Sequence, residues 1–317
     1  MIRTKNLVIT ALIVSCLLNI AGVVFFVLFL QTASHLKHTK REKSNIVQSM
    51  AMMRGNSQVT DISTSEHIIR STFVSHFDGM EDSFGVLPAL APKPAEGYDL
   101  IVYLHGMGST FLEPFVTPKS DTIAKSICDS HPSIIFASLN YRRALSWGND
   151  AAISDITQNV RELMQRYPVN RIILIGTSMG GCTVLNYTAL APDDVKAKII
   201  GVVSLEGAGD LARLYKETKN ASIPPALANA FGGTPELVPE RYAKQSFLSN
   251  IDQMRGPVRF AIVSATRDST VPPSFQKDVV EILKKRNLAV RLIEVNSAHG
   301  ILDADIYVEG LDFVLGK

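Results

Sequence analysis

Short apolar runs and amphipathic stretches alternate over most of this chain. Runs rich in Ile, Val and Leu occupy 98–104, 133–139, 171–175, 199–205, 258–264 and 289–295. Runs of this length, without polar alternation, suit strands buried on both faces. Between them, apolar positions recur at helical spacing. In 150–167, Ile153, Ile156, Val160, Leu163 and Met164 share one face, and Pro168 marks the end. Segments 117–130, 181–190, 272–285 and 303–315 are also expected to be helical. This alternation predicts an α/β fold, a mostly parallel sheet with helices on both faces. Two earlier runs, 67–74 and 82–88, predict an antiparallel start, and 92–97 a loop. Segment 211–253, with several prolines and Gly232-Gly233, breaks the alternation and predicts a helical insertion or cap.

One stretch departs from this pattern. Between Leu7 and Leu30 the chain carries no charge. About 20 apolar residues span a bilayer as a helix, whereas a cleavable signal has an apolar core of only about 7–15. The length therefore favours an uncleaved transmembrane anchor in contact with the lipid bilayer. The small residues Thr32, Ala33 and Ser34 keep a cleaved signal as the alternative, and the run past Cys16 argues against a lipidated cysteine. The expected organisation is a tail over 1–6, an anchor over 7–30, a polar linker over 31–64 and a globular domain over 65–317. Arg3 and Lys5 on one side nearly balance Lys37, Lys40, Arg41 and Lys43 on the other. The count leans toward a cytoplasmic globular domain, whereas the short leading tail favours a single-pass membrane protein with that domain exported, and the export reading is the one expected.

Net charge is +2 over 317 residues, so nothing points to a nucleic-acid partner. The basic run between Lys37 and Lys43 reads as a topology signal or a contact with lipid heads. The cysteines number three and read as free thiols. No Cys/His spacing resembles a metal site, and no cofactor is expected.

The chemistry sits in the loops after the strands. Gly176-Thr177-Ser178-Met179-Gly180 joins an apolar strand to a helix. A serine on such a turn, flanked by glycines, is a nucleophile elbow: the turn needs strained backbone, and strand and helix must approach closely. The amide of Met179, at the helix N-terminus, is placed to donate to an oxyanion. The loop after Leu104 is His105-Gly106-Met107-Gly108-Ser109. The loop after Ser264 carries Asp268, and the loop after Val295 carries His299-Gly300. In open parallel sheets, sites form beyond the carboxyl ends of the strands. Ser178, Asp268 and His299 thus supply a nucleophile, an acid and a base at one edge. Glu206, following the strand over 199–205, is the substitute acid. Arg142 and Arg143 read either as binders of an anionic substrate group or as solvated surface residues.

The order Ser178, Asp268, His299 resembles that of the α/β-hydrolase superfamily. The resemblance covers about residues 65–317 and rests on His105-Gly106, the elbow, Asp268 with Val271-Pro272, and His299-Gly300. Within the superfamily, 98–108 looks like the prolyl-oligopeptidase-type and feruloyl-esterase-type branches. The resemblance implies an α/β-hydrolase fold and a serine hydrolase. It also implies that the Met107 amide is the second oxyanion donor. By the same resemblance Trp147 lines the substrate cleft, against the plainer reading of a packing tryptophan. His105 is a secondary substrate-contact candidate, against the plainer reading of a loop brace. Ester cleavage is the expected reaction, since 1–64 leaves no room for the propeller that prolyl-oligopeptidase relatives carry. Peptide or amide cleavage and acyl transfer are alternatives on the same fold. A catalytically silent anchored binding protein is the alternative of another class.

Overall fold

All eight apolar runs pair into one sheet. The computed structural model describes residues 68–118 and 121–317, which belong to one compact unit. The strands are β1 (Ile69–Val74), β2 (Glu81–Leu87), β3 (Tyr98–Leu104), β4 (Ile134–Leu139), β5 (Val169–Thr177), β6 (Ile199–Leu205), β7 (Arg259–Ala265) and β8 (Val290–Val295). Their order across the sheet is β1-β2-β4-β3-β5-β6-β7-β8. β2 pairs antiparallel with β1 and β4, and every later pairing is parallel.

The unbroken apolar runs follow from burial on both faces. In β3, Leu100, Val102 and Leu104 join one core cluster, while Ile101 and Tyr103 join the other. β5 repeats this, with Ile172 and Leu174 on one side and Ile173 and Ile175 on the other. Each such side chain contributes about 1.5–3 kcal/mol on burial, so neither face tolerates a polar alternation.

The crossover helices cover these faces. They are α1 (Glu113–Val116), α2 (Ile123–Ser130), α3 (Asp150–Arg166), α4 (Met179–Leu190), α5 (Asp193–Lys196), α10 (Pro273–Lys285) and α11 (Ala304–Leu315). Asn149 caps α3, accepting the Ala152 amide at 3.0 Å. α4 is buried from Met179 to Ala189 and has no polar face, which is why its sequence lacks an amphipathic period. The helix expected over 117–130 begins only at Ile123, where Thr122 caps α2; a separate turn, α1, precedes it. The segment 211–253 carries α6 (Leu211–Glu217), α7 (Ile223–Phe231), α8 (Pro239–Lys244), α9 (Phe247–Asn250) and a closing 3₁₀ turn (Ile251–Gln253).

The membrane placement is corrected. Among the described residues no helix is long and apolar enough to cross a membrane. The anchor expected over 7–30, its bilayer contact and the linker over 31–64 fall outside the described residues. The single-pass, exported placement built on them is withdrawn.

Candidate active site

The elbow takes its shape from three glycines. A Cβ at Gly176 would lie 2.4 Å from the Gly180 carbonyl oxygen, one at Gly180 2.0 Å from that of Leu104, and one at Gly181 2.6 Å from that of Leu205. Real Cβ contacts are never this short, so only glycine lets α4 start hard against β3, β5 and β6. Between them Ser178 adopts φ 55° and ψ −114°, a conformation that costs an L-residue about 1–3 kcal/mol. The Ser178 amide donates to the Leu205 carbonyl at 2.8 Å, which fixes the turn to β6.

Three strand-end loops converge on this serine. His299 Nε2 lies 2.9 Å from Ser178 Oγ, and His299 Nδ1 lies 2.6 Å from Asp268 Oδ2. A carboxylate accepts only, so the Nδ1–H tautomer is favoured, leaving Nε2 to accept the serine proton. The other Asp268 oxygen, Oδ1, accepts the amides of Thr270 at 2.7 Å and Val271 at 2.9 Å. The carboxylate is thereby held by its own loop as well as by the histidine. Burial lowers the His299 pKa, but the Asp268 hydrogen bond and the charges of Glu206 and Asp268 outweigh it, and the net shift is upward.

Glu206 also reaches this histidine. Its Oε2 is 3.3 Å from His299 Nδ1 and accepts the Gly300 amide at 3.0 Å. Asp268 is the closer acid and the better held. Glu206, Asp268 and His299 bring three potential metal ligand atoms within 4.8 Å of one another. Their mutual contacts and the Asp268 loop bonds account for this grouping without a cation.

Three amides of the loop after β3 are engaged. The Gly106 amide donates to the Glu113 carboxylate at 3.2 Å, that of Gly108 to the Ala144 carbonyl at 2.8 Å, and that of Ser109 to the Gly106 carbonyl at 3.2 Å. Among the described residues no acceptor meets the amide of Met107, nor that of Met179 at the start of α4. The loop is braced from below. Glu113 also accepts the Tyr103 hydroxyl at 2.7 Å, and Tyr103 and Tyr307 both meet Thr177, next to Ser178, at 3.2 and 2.9 Å. Burial raises the Glu113 carboxyl pKa.

Two expectations are corrected. His105 is wholly buried, with its carbonyl accepting the Tyr141 hydroxyl at 2.6 Å and its Nδ1 2.8 Å from the Gly106 carbonyl. Burial pushes its pKa down to about 4, so it stays neutral and braces the loop rather than meeting substrate. Trp147 is 1% exposed and belongs to the core cluster that includes Met179 and Cys182. It packs behind the elbow instead of lining a cleft. Arg142 is bound to Asp78 at 2.7 Å and Asp155 at 3.1 Å, which leaves Arg143 as the exposed arginine of that loop. A groove of about 780 Å³ runs along α3, lined by residues including Phe77, Thr157, Arg161 and Lys244; it contains none of Ser178, Asp268 or His299.

Sequence reasoning missed Glu113. It lies in a four-residue helix beside Pro114, and its partners come from β3 and the following loop, so no local pattern marks it.

Known proteins agree with this architecture. A family model described as alpha/beta hydrolase fold matches residues 101–301. Among solved structures, a Mycobacterium tuberculosis puromycin-hydrolyzing peptidase is similar at TM-score 0.60 and 18% identity, with 82% of this chain and 41% of that one covered. A Pyrococcus horikoshii acylaminoacyl peptidase gives TM-score 0.56 and 16% identity over 74% of this chain and 38% of that one. The chain thus spans about two fifths of the length of these peptidases. A Staphylococcus aureus fluorophosphonate-binding serine hydrolase gives TM-score 0.57 and 15% identity, over 79% of this chain and 98% of that one. At these identities the likeness is one of fold. With the family match over most of the chain and a serine–histidine–carboxylate chain at the sheet edge, this protein belongs to the α/β-hydrolase fold family.

Proposed function

We propose that this protein hydrolyses carboxylic esters of small molecules through an acyl-enzyme on Ser178. The observation that carries the reading is the continuous chain from Ser178 Oγ through His299 to Asp268, at 2.9 and 2.6 Å. A serine hydroxyl alone is a poor nucleophile, and His299 Nε2 is placed to take its proton as Oγ attacks the acyl carbonyl. The imidazolium formed is stabilised by Asp268, which also holds the productive tautomer. The negative charge that develops on the carbonyl oxygen is met by the amides of Met179 and Met107. His299 then returns its proton to the leaving alcohol. Water attacks the acyl-enzyme by the same route, releasing the acid and restoring Ser178.

The peptide alternative gains less support from the relatives, since the one matched over nearly its whole length is described as a serine hydrolase and not as a peptidase. The Staphylococcus aureus hydrolase is matched over 98% of its length, whereas the two peptidases are matched over 41% and 38% of theirs. The test is a panel of p-nitrophenyl esters of graded acyl length beside aminoacyl p-nitroanilides, with Ser178→Ala as control. The expected result is kcat/KM at least about tenfold higher on the best ester than on any anilide, and none in the variant. A preference for anilides would overturn the ester assignment.

A further inference from the structure

The mechanism above uses one carboxylate, yet two face the same imidazole nitrogen. Glu206 follows β6 directly and is wholly buried, at φ 53°, a left-handed conformation that side-chain-bearing residues rarely adopt. Its Oε2 sits 3.3 Å from His299 Nδ1 and accepts the Gly300 amide at 3.0 Å, while its Oε1 has no hydrogen-bond partner among the described residues. A buried carboxylate with an unmade hydrogen bond is costly to keep, and a structural tie to Gly300 alone would be served as well by a neutral amide.

We propose that Glu206 is a second positioning residue for His299. It ties the 299–300 turn to the sheet and offers Nδ1 a reserve carboxylate, so the Nδ1–H tautomer survives the loss of Asp268. This rests on the serine-hydrolase reading. The titratable groups around Glu206 are His299, Asp268 and Tyr307. Burial raises its carboxyl pKa to about 7, against the pull of the His299 charge and the Gly300 amide, so it ionises within the range of an esterase assay. Only the ionised form can hold the Nδ1 proton as an acceptor on both oxygens, which links its service to pH.

The test compares full-chain wild type with Glu206→Gln, Asp268→Asn and the double variant on p-nitrophenyl acetate from pH 6 to 9. Without a reserve acid, replacing the triad acid by an amide costs about 10⁴-fold through the wrong tautomer. With it, Asp268→Asn should retain more, on the order of 10² below wild type. The double variant should fall at least a further tenfold in kcat, by a ratio that grows with pH as Glu206 ionises. Glu206→Gln alone should lower kcat several-fold with KM unchanged. Equal kcat in Asp268→Asn and the double variant at every pH would overturn the proposal. Should Glu206→Gln fail to fold, the low-field Nδ1 proton resonance decides: it should persist in Asp268→Asn, and its disappearance there would count against Glu206. Ser178→Ala in the same assay keeps the two readings apart, since surviving turnover there would overturn the serine-hydrolase reading instead.

Discussion

Gly180→Ala tests the physical basis of the elbow. The added Cβ would sit 2.0 Å from the Leu104 oxygen, 2.6 Å from the Leu104 carbonyl carbon and 2.8 Å from the His105 oxygen. Ordinary contact begins at 3.4 Å, so relief requires a separation of 3.4 − 2.0 = 1.4 Å. The atoms it meets are backbone, and Leu104 is registered against Leu139 on one side and Gly176 on the other, so β3 cannot yield alone. The strain falls instead on the spacing between α4, with the Met179 amide, and the 105–109 loop, with the Met107 amide. A misplacement of about 1 Å in a catalytic constellation costs about 10²-fold in rate. Overpacking of this kind costs about 1–3 kcal/mol, and each kcal/mol lowers Tm by roughly 2–4 °C in a domain of this size. Gly180→Ala is therefore expected to lose about a hundredfold in kcat on a p-nitrophenyl ester and several degrees in a thermal melt. A variant with wild-type kcat and Tm would refute the close-approach argument.

The remaining predictions concern His299 and the buried carboxylates. Because the His299 pKa is raised, kcat/KM should fall as pH drops through a value above the ordinary 6.5, as the base becomes protonated; an acid limb below 6.5 would contradict this. The Glu206 carboxyl is raised from 4.5 to about 7, so its protonated form favours the folded state, and that stability is lost as pH rises from the unfolded value through about 7. Glu206→Gln should escape this loss, gaining up to about 3 kcal/mol over wild type between pH 5 and pH 8 in urea melts. A pH-independent difference would contradict it. Glu113→Ala would orphan the buried Gly106 amide, at about 1–3 kcal/mol, and leave the Tyr103 hydroxyl only its contact with Thr177. It should lower both the denaturation midpoint and kcat; an unchanged midpoint would show that the brace beneath the loop contributes nothing.

The central strands were legible because they are buried on both faces, so runs such as 171–175 stand out from any amphipathic background. Ser178, Asp268 and His299 were legible because each lies just past such a run, and parallel strands deliver their ends to one edge. What escaped depends on contacts across the chain. Trp147 follows a strand like the other loop residues, yet its loop turns inward at φ 49° and buries the indole behind Met179. Glu113 serves partners that only the folded sheet brings together. Glu206 and Asp268 both follow strands that end beside His299, and what separates them is their distance from Nδ1, 3.3 against 2.6 Å, and the two loop amides that hold Asp268. The helix expected from residue 117 starts late because its cap is Thr122, a choice no periodicity reveals.

The central claim is that Ser178 is the activated nucleophile, and active-site labelling tests it most directly. A fluorophosphonate reacts with a serine only when a base and an oxyanion site act on it together. Intact-protein mass spectrometry of the labelled chain, followed by peptide mapping, should find one adduct, on Ser178, and none in Ser178→Ala. An adduct on another residue, or labelling undiminished in the variant, would contradict the account.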